Sequence, residues 1–599
     1  MSAQRAGRWT HLLPAGYSLL LTLLITVPLL RPGYLLLRDA VSTPRSYPTD
    51  AALGLGDAAP RAVPQDGLLA ALSPLIDGGL IVKVILVAAL WAAGYGAAVL
   101  VRELLGAPLA AQLVATTLVV WNPYIAERLL QGHWSLLTGY AALPWTVLAA
   151  LRLRIAGGDR FERFRNWSAL AGCLAAAGLT PTGALLAATV AVLVVGWRRS
   201  AGVLVLAAVA SAPWLVATAV SGVAAEPSDP AGVTAFAARA EPWLATVGSL
   251  AGLGGIWNAE AVPVSRTTPI AALATVVLLA IVALGLRTVV AADSNPDRTR
   301  VRRLLIALAG VAVLVPAVAA TPAGLTVLEW LVVEIPGAGL LRDTQKFVAL
   351  AAPGYALCAA AACLRFAGSD DKRAARDAAD TGSNSSPTPP ADRPARWSPA
   401  WAALFIGALT LPLLDLGWGV GGQMRAIHYP DSWHEVAERI DGPGDIAVLP
   451  GGMFRRFPYS GTAPVLDPAP RMLPRDVLQT GALPVHDLTV TGEGARAQIV
   501  EDLLLEGGPA GRLAEFGVGW VLVERDTPGP LGNSTATLAQ LRPVHSTGEL
   551  ALYQVPDVRP RPTPEHRSLV IAAHILWAIL LIAPLATYGY STLSRRARR

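Results

Sequence analysis

The sequence predicts a polytopic α-helical membrane protein with about 12 transmembrane helices and a C-terminal α/β domain outside the membrane. Of the 599 residues, 53% are hydrophobic and only 15% are charged, against about 25% in soluble proteins. The mean hydropathy is +0.48. Because a soluble chain cannot bury so much apolar surface, this composition excludes a soluble enzyme, a disordered scaffold and a nucleic-acid binder. Over residues 422–566 the long apolar runs give way to short, mixed helix and strand patterns, which predict the α/β domain.

The net charge of +6 indicates membrane sidedness, because excess basic residues in membrane proteins mark cytoplasmic loops. Almost all of the basic residues are arginines. The lysines are Lys83, Lys346 and Lys372. This bias, together with the excess of alanine, indicates a GC-rich bacterial genome, and we therefore expect the membrane to be the bacterial plasma membrane.

Apolar runs approaching the length of about 20 residues that crosses a bilayer predict the spans. They cover residues 12–30, 79–101, 108–121, 135–151, 168–179, 182–197, 201–220, 269–290, 304–322, 345–366, 399–420 and 568–590. Three of these runs are too short to cross comfortably. The pair around Thr180-Pro181-Thr182 is either a tight hairpin or one kinked helix.

Arginine clusters predict which loops face the cytoplasm. They lie at residues 5–8, 152–165, 198–199, 298–303 and 595–599. With twelve spans, every cluster falls on the same side, which favours the hairpin and places both termini in the cytoplasm. A single kinked helix would invert everything that follows it.

These spans divide the chain into five parts. We expect a transmembrane module over 1–366, with its first seven spans in 12–220 and long outer loops at 31–78 and 221–268, then a disordered cytoplasmic linker at 367–398, a transmembrane helix at 399–421, the outer α/β domain at 422–566, and a final helix with a basic tail at 567–599. In the α/β domain, Asp431 is expected to cap a helix that runs to about Ile440. Strands are expected at 445–450, 519–524 and 550–555, and a second helix at about 495–506.

Asp39 is the first candidate for chemistry. It follows the first span closely, in the first outer loop, and an acid at the outer membrane face can act as a general base on an acceptor hydroxyl. The alternative is a solvated loop acid or a helix cap, because Asp39 precedes Ala40 and Val41.

Two further clusters add charge at the outer face. The outer loop 121–134 contains Glu127, Arg128 and His133, which suit binding of a phosphate or sugar hydroxyl, or a structural ion pair. Near the tenth span, Arg342 and Lys346 are four residues apart and would share a face if the segment is helical. They need an anionic partner, either a lipid-linked phosphate or nearby acids such as Asp343.

Several motifs are absent from the sequence. It contains no Walker A sequence, no His-Glu-x-x-His and no Cys-x-x-Cys, so neither ATP hydrolysis nor a zinc site is indicated. We expect no cofactor; a divalent metal is possible but not indicated. Few ionisable residues lie deep in the spans, and there is no internal repeat, which weakens a secondary transporter as the function.

The strings Arg38-Asp39-Ala40-Val41-Ser42-Thr43-Pro44-Arg45, Asn122-Pro123-Tyr124, Gly132-His133-Trp134 and Arg342-Asp343-Thr344-Gln345-Lys346-Phe347, with the two long outer loops, resemble class C glycosyltransferases. Within that class the chain is similar to actinobacterial integral membrane proteins related to arabinofuranosyl- and mannosyltransferases of the cell envelope, and to YfhO-type membrane proteins. The paired acids common in the first loop of the class are not clearly present, because Asp39 is followed by Ala40.

The resemblance implies transfer of a sugar from a polyprenyl-phosphate donor to an envelope glycan or glycolipid outside the plasma membrane. It makes Asp39 the catalytic base. The residues expected to bind the donor phosphate or the acceptor are Arg38, Glu127, Arg128, His133, Arg342 and Lys346. Two other functions stay open: a non-catalytic envelope scaffold or lipid-linked glycan carrier, and, less favoured, a secondary transporter.

Overall fold

Long apolar helices form the first part of the chain. The structure is a computed structural model that describes residues 2–156, 159–221, 229–380, 399–485, 488–492, 494–559 and 561–597. Its N-terminal elements are α1 (Ser2–Thr26), β1 (Tyr34–Leu37), β2 (Ala40–Val41), α2 (Asp50–Leu53), α3 (Gln65–Leu72), α4 (Gly78–Leu105), α5 (Leu109–Val120), α6 (Pro123–Leu130), α7 (Leu136–Ile155), α8 (Arg160–Ala177), α9 (Pro181–Val195), α10 (Trp197–Ala210) and α11 (Ala212–Ser221).

A second group of helices completes the bundle. They are α12 (Ala231–Ala235), α13 (Ala245–Ala251), α14 (Ile270–Val290), α15 (Pro296–Ala319), α16 (Pro322–Glu334), a 3-10 helix (Thr344–Ala351) that leads into α17 (Ala352–Asp380), α18 (Pro399–Thr410) and α19 (Gly417–Gly422). Glycine and alanine allow close approach in this bundle. For example, Gly285 of α14 lies directly against the backbone of Cys358 in α17.

The C-terminal region alternates strands and short helices before a last long helix. Its elements are β3 (Ala426–Ile427), α20 (Ser432–Arg439), β4 (Asp445–Leu449), β5 (Phe454–Arg455), β6 (Val465–Leu466), α21 (Ala469–Met472), β7 (Leu483–Val485), β8 (Leu488–Val490), α22 (Ala495–Glu506), α23 (Ala510–Glu515), β9 (Val518–Glu524), α24 (Ser534–Leu538), β10 (Arg542–Ser546), β11 (Leu550–Gln554) and α25 (Arg567–Ala597). The main sheet has the order β10-β11-β9-β4, with β4 parallel to β9 and the other pairs antiparallel.

Within the described residues, nine helices are long and apolar enough to cross a membrane, or ten if the bent pair α10–α11 is one span. Helices α5 and α6 count together as one of the nine, and α8 and α9 are not counted. When the bent pair is counted as a tenth span, α8 and α9 account for the remaining difference from the predicted number of about 12 spans. The multi-pass membrane class is confirmed, whereas the count of twelve stays a prediction.

Helices α8 and α9 form a hairpin. Thr180 separates them and caps α9 by accepting a hydrogen bond from the Gly183 backbone N–H at 3.1 Å. Helix α10 runs alongside α8 in the same direction, because Gly202 lies against Trp167 while Gly178 lies against Ala210. Helix α9, which connects them, therefore runs the opposite way, as the hairpin interpretation requires.

Ion pairs join the loops that carry the central arginine clusters. Arg154 Nε donates to Asp297 Oδ1 at 2.5 Å, and its Nη1 donates to the Val194 carbonyl at 3.4 Å. Arg152 Nη2 pairs with Glu103 Oε2 at 2.7 Å. The segments near 152–165, 198–199 and 298–303 thus meet at one end of the bundle, in agreement with their predicted common side.

Three local predictions are wrong. Residues 123–130 of the predicted outer loop 121–134 are helical, because Asn122 caps α6 by accepting from the Ile125 N–H and Pro123 takes the first helical position. Residues 367–380 of the predicted linker extend α17, and 381–398 lie outside the described residues. Asp431 precedes α20, but its side chain makes no capping hydrogen bond.

The C-terminal α/β region packs directly on the loop 31–78, which the sequence predicts to be an outer loop. Strand β3 pairs with β1, with Tyr34 opposite Ile427. Two ion pairs reinforce the contact: Arg471 Nε–Asp66 Oδ1 at 3.0 Å and Arg496 Nε–Asp57 Oδ2 at 2.6 Å. The loop and the α/β region are therefore one structural unit.

Replacing Gly285 by alanine tests the close packing of α14 on α17. A Cβ atom there would lie 1.9 Å from the Cys358 carbonyl oxygen, so the helices must separate, at a cost of about 1–3 kcal/mol. We expect the melting temperature of the detergent-purified protein to fall by roughly 1–2 °C. The control is Gly310→Ala in α15, where a Cβ meets nothing within 4 Å and helix propensity improves. Equal melting temperatures for the two variants would contradict the packing.

Candidate functional site

A cavity of about 1090 Å³ lies where one end of the helix bundle meets the loop 31–78 and the C-terminal α/β region. Five of the seven predicted site residues line it. They are Arg38, Asp39, His133, Arg342 and Lys346. The other two, Glu127 and Arg128, lie behind its wall with no exposed surface.

Asp39 sits in a two-residue turn. Leu37 pairs with Ala40, so Arg38 and Asp39 form the tip of the β1–β2 hairpin, and Arg38 has the left-handed φ of +47°. The Asp39 N–H donates to the Gln131 carbonyl at 3.1 Å, and the Arg38 carbonyl accepts from the Leu466 N–H at 2.8 Å. The turn is thus held by the residue that follows α6 and by the α/β region. Asp39 is therefore neither a solvated loop acid nor a helix cap.

Gly132 permits the chain after α6 to approach this turn. Its φ is +84°, and a Cβ atom would lie 2.3 Å from the Ala40 nitrogen and 2.4 Å from the Leu37 oxygen. The next residue, His133, then reaches Asp39. In the Gly132-His133-Trp134 string, Gly132 therefore allows a close backbone contact with the β1–β2 turn, and His133 adds a side-chain contact with Asp39.

One oxygen of the Asp39 carboxylate is held by neighbours and the other is open. Oδ2 accepts hydrogen bonds from His133 Nε2 at 3.0 Å and from Gln131 Nε2 at 3.2 Å. Within the described part of the chain, Oδ1 accepts none, and the side chain is 31% exposed. Burial raises the pKa of Asp39, but the hydrogen bonds from His133 and Gln131 and the charge of Lys346 outweigh it, so the pKa lies below its ordinary value.

Arg128 forms the buried support of the site. Its Nη1 lies 3.0 Å from His133 Nδ1 and donates to Asp343 Oδ2 at 3.1 Å, while Nη2 donates to Asp343 Oδ1 at 3.3 Å and to Gln345 Oε1. The Arg128 guanidinium and the Asp343 carboxylate are both buried. Such a pair is retained only when its hydrogen bonds are well satisfied.

Glu127 holds the network from behind. Its two oxygens accept from the backbone N–H groups of Gly255 and Ile256, each at 3.1 Å. Gln345 Nε2 donates to Glu127 Oε2, also at 3.1 Å. Glu127 therefore fixes the loop after α13 and the Gln345 amide.

The geometry does not fit direct ligand binding by Glu127, Arg128 or Arg38. The first two have no exposed surface. Arg38 lines the cavity, but its guanidinium donates to the Leu130 and Glu260 carbonyls at 2.8 and 2.6 Å. These donors are used to hold backbone segments together.

The expected shared helical face of Arg342 and Lys346 is absent, because the segment is a 3-10 helix that begins only at Thr344. Lys346 Nζ pairs with Asp343 Oδ2 at 3.4 Å, which was the alternative left open, and its side chain is 25% exposed. Arg342 lies over the Phe236 ring, 4.8 Å from its centroid. Both cations nevertheless face the cavity.

Several residues of the site were not among the predicted site residues. Asn258 Nδ2 donates to Gln131 Oε1 at 2.8 Å and so orients the amide that contacts Asp39. Gln131 and Gln345 stand beside residues that were singled out, and that adjacency was the available signal. Asp343 was considered only as a possible partner of Arg342 and Lys346, and it pairs with Lys346. Across the described residues, no group of three or more His, Cys, Asp or Glu side chains is arranged to hold a metal ion.

No known family model matches the sequence, and no curated protein matches it. Solved structures do. The arabinofuranosyltransferase AftD from mycobacteria aligns with a TM-score of 0.54 and 19% identity, over 92% of this chain and 40% of that chain. A mutant of the same protein aligns with a TM-score of 0.53 and 19% identity, over 92% and 41%.

ArnT from Cupriavidus metallidurans in the apo state aligns at a TM-score of only 0.32 and 12% identity, over 93% of this chain and 100% of that chain. The likeness to AftD shows that this chain has the class C glycosyltransferase fold, which confirms the resemblance in the sequence. The chain spans about two fifths of the length of the AftD chains that it matches.

Replacing Gly132 by alanine tests the contact that positions Asp39. The left-handed φ costs about 1–2 kcal/mol for alanine, and the added Cβ must also push the β1–β2 turn away. We expect a lower melting temperature and faster hydrogen–deuterium exchange over residues 34–41. The matched control, Gly337→Ala, has a φ of +82° but meets nothing within 4 Å. It shares the conformational cost, and exchange over 34–41 should stay at the wild-type rate. Unchanged exchange in both variants would overturn the close contact.

Proposed function

Because the chain has the class C glycosyltransferase fold, we propose that it is a membrane glycosyltransferase. In this proposal it moves a sugar from a polyprenyl-phosphate donor to a hydroxyl of an envelope glycan or glycolipid, on the outer side of the bacterial plasma membrane. The observation that carries the proposal is Asp39: an ionised carboxylate with Oδ2 held by His133 and Gln131 and Oδ1 open at the wall of a large cavity.

The chemical step needs one base and one stabilised leaving group. Asp39 Oδ1 takes the proton of the acceptor hydroxyl as the acceptor oxygen bonds to the anomeric carbon of the donor sugar. The bond between that carbon and the phosphate oxygen breaks, and polyprenyl phosphate leaves with the electron pair. Atoms and charge balance without a further reactant.

Lys346 and Arg342 are the cations proposed to meet the phosphate. Both line the cavity that contains Asp39. Among the described residues, Lys346 forms one ion pair, with Asp343, and that carboxylate is shared with Arg128. A shared carboxylate leaves excess positive charge at the cavity wall, which suits a phosphate whose negative charge increases as the sugar leaves.

The cavity also suits a reaction between a lipid-anchored donor and a water-exposed acceptor. Its wall includes Leu136 and Trp214 from the helices and Arg456 and Asp476 from the α/β region. We therefore place the donor on the helix side and the acceptor glycan toward the α/β region. The arginine clusters at the opposite end of the bundle support an outward-facing site.

Replacing Asp39 by asparagine removes the base and keeps the shape. We expect transfer to fall by about 10²-fold or more, the usual contribution of a general base, while binding of the donor is retained. The assay uses purified protein in nanodiscs, short-chain polyprenyl-phosphate pentoses and hexoses, and a panel of envelope glycolipids. Thin-layer chromatography follows the labelled product.

Asp77→Asn is the matched control, because it makes the same chemical change in the same outer loop. Asp77 caps α4 by accepting from the Leu80 N–H at 2.9 Å, and asparagine caps equally well. Its transfer rate should equal that of the wild type. If Asp39→Asn retains the wild-type rate, Asp39 is not the base. If the wild type binds polyprenyl phosphate but transfers no sugar from any donor, the carrier function is favoured instead.

A further inference from the structure

The contact between Arg128 and His133 fixes where the imidazole proton lies. Arginine has N–H donors and no acceptor. Arg128 Nη1 lies 3.0 Å from His133 Nδ1, so Nδ1 must accept that hydrogen bond and carries no proton. The proton of the neutral ring is then on Nε2, which donates it to Asp39 Oδ2 at 3.0 Å.

Protonation of His133 would break this arrangement. A hydrogen on Nδ1 would point at a guanidinium N–H, and because both groups are donors they would repel each other. The charged groups around His133 are Asp39 in the β1–β2 turn, Arg128 in α6, and Asp343 and Lys346 at the 3-10 helix. Burial lowers the pKa of His133; the hydrogen bond to Asp39 opposes this, and the positive charges of Lys346 and Arg128 lower the pKa further.

We infer that Arg128 is a positioning residue that holds His133 as a neutral Nε2–H donor, so that His133 orients the Asp39 carboxylate and neither binds phosphate as a cation nor shuttles the acceptor proton. The catalytic part of this inference rests on the proposed function. The part that concerns the protonation of His133 does not, because it follows from donor and acceptor chemistry alone.

Arg128 is suited to this role because it has no freedom to turn away. Asp343 takes two of its N–H groups, and Gln345 Oε1 takes another. The Gln345 amide is itself oriented, because its Nε2 donates to Glu127 Oε2 and to the Gly254 carbonyl. The Nη1 donor therefore stays aimed at His133 Nδ1.

The first measurement is the tautomer of His133 in the full-length protein. Histidine selectively labelled with ¹⁵N is recorded by solid-state NMR in lipid, and the His133→Gln variant assigns the signal. We expect the Nε2–H tautomer at pH 7, with protonation only below about 6.5, the ordinary histidine value. An imidazolium or an Nδ1–H tautomer of His133 at pH 7 would overturn the inference.

The second measurement removes Arg128 together with its buried ion-pair partner Asp343, so that neither of these two charges is left unpaired. In the double variant Arg128→Gln with Asp343→Asn, no N–H of residue 128 obliges His133 Nδ1 to accept a hydrogen bond, and we expect the titration of His133 to move to higher pH. The matched control is Arg266→Gln with Glu241→Gln. It removes another buried ion pair of the same type that does not touch His133, and should leave its titration unchanged. A double variant that titrates like the wild type would show that Arg128 does not set the proton position.

Transfer activity separates this inference from the proposed function. With Asp39 ionised and His133 neutral, activity falls on acidification as either group protonates, and the fall begins at higher pH in the Arg128 double variant. If the double variant is less active by the same factor at every pH, so that its pH profile is not shifted, the inferred role of Arg128 in transfer is contradicted. If the wild type transfers no sugar yet shows the expected tautomer, the proposed function fails while the role of Arg128 in holding His133 stands.

Discussion

The buried charge of Arg128 is the constraint on which the site depends. A guanidinium with no exposed surface is tolerated only with paired and hydrogen-bonded neighbours, and removing one partner of such a pair typically costs about 3–5 kcal/mol. Arg128 therefore requires Asp343 and Gln345, which lie more than 200 residues further along the chain. By requiring them, it brings the segment that carries Lys346 to the turn that carries Asp39. One buried cation thus assembles a site from three distant parts of the sequence.

The C-terminal α/β region belongs to the same assembly. Strand β3 extends the β1–β2 hairpin, and the Leu466 N–H holds the Arg38 carbonyl beside Asp39. Arg38 keeps an unfavourable left-handed φ at this point because its guanidinium is tied to the Leu130 and Glu260 carbonyls. Two sets of backbone hydrogen bonds therefore connect the α/β region directly to the Asp39 turn.

The sequence predicted the features that depend on neighbouring residues along the chain. Apolar run length located the helices, and the arginine clusters located loops that do meet, through Arg154 and Asp297. It also selected Asp39 and His133, which do touch. It did not separate the residues that face the cavity from those that support them: Glu127 and Arg128 look like ligands in the sequence, and only the distant partners Gln345, Asp343 and Gly255 determine that they are buried. Nor does low apolar content stop a helix, as α17 shows by continuing to Asp380.

The division between buried support and open carboxylate has an electrostatic reason. In the proposed reaction, a phosphate and an acceptor hydroxyl meet beside Asp39, so the charges there must be few and fixed. A cationic His133 would make Asp39 a weaker base through their hydrogen bond and would compete with Lys346 for the phosphate of the proposed donor. Keeping His133 neutral leaves one anion to take the proton and leaves the cations at the cavity wall for the leaving group. The N–H donors of Arg128 that keep His133 neutral lie in the low-dielectric interior, where hydrogen bonds are electrostatically stronger than in water. The Asp39 carboxylate oxygen proposed to take the proton remains open to the cavity.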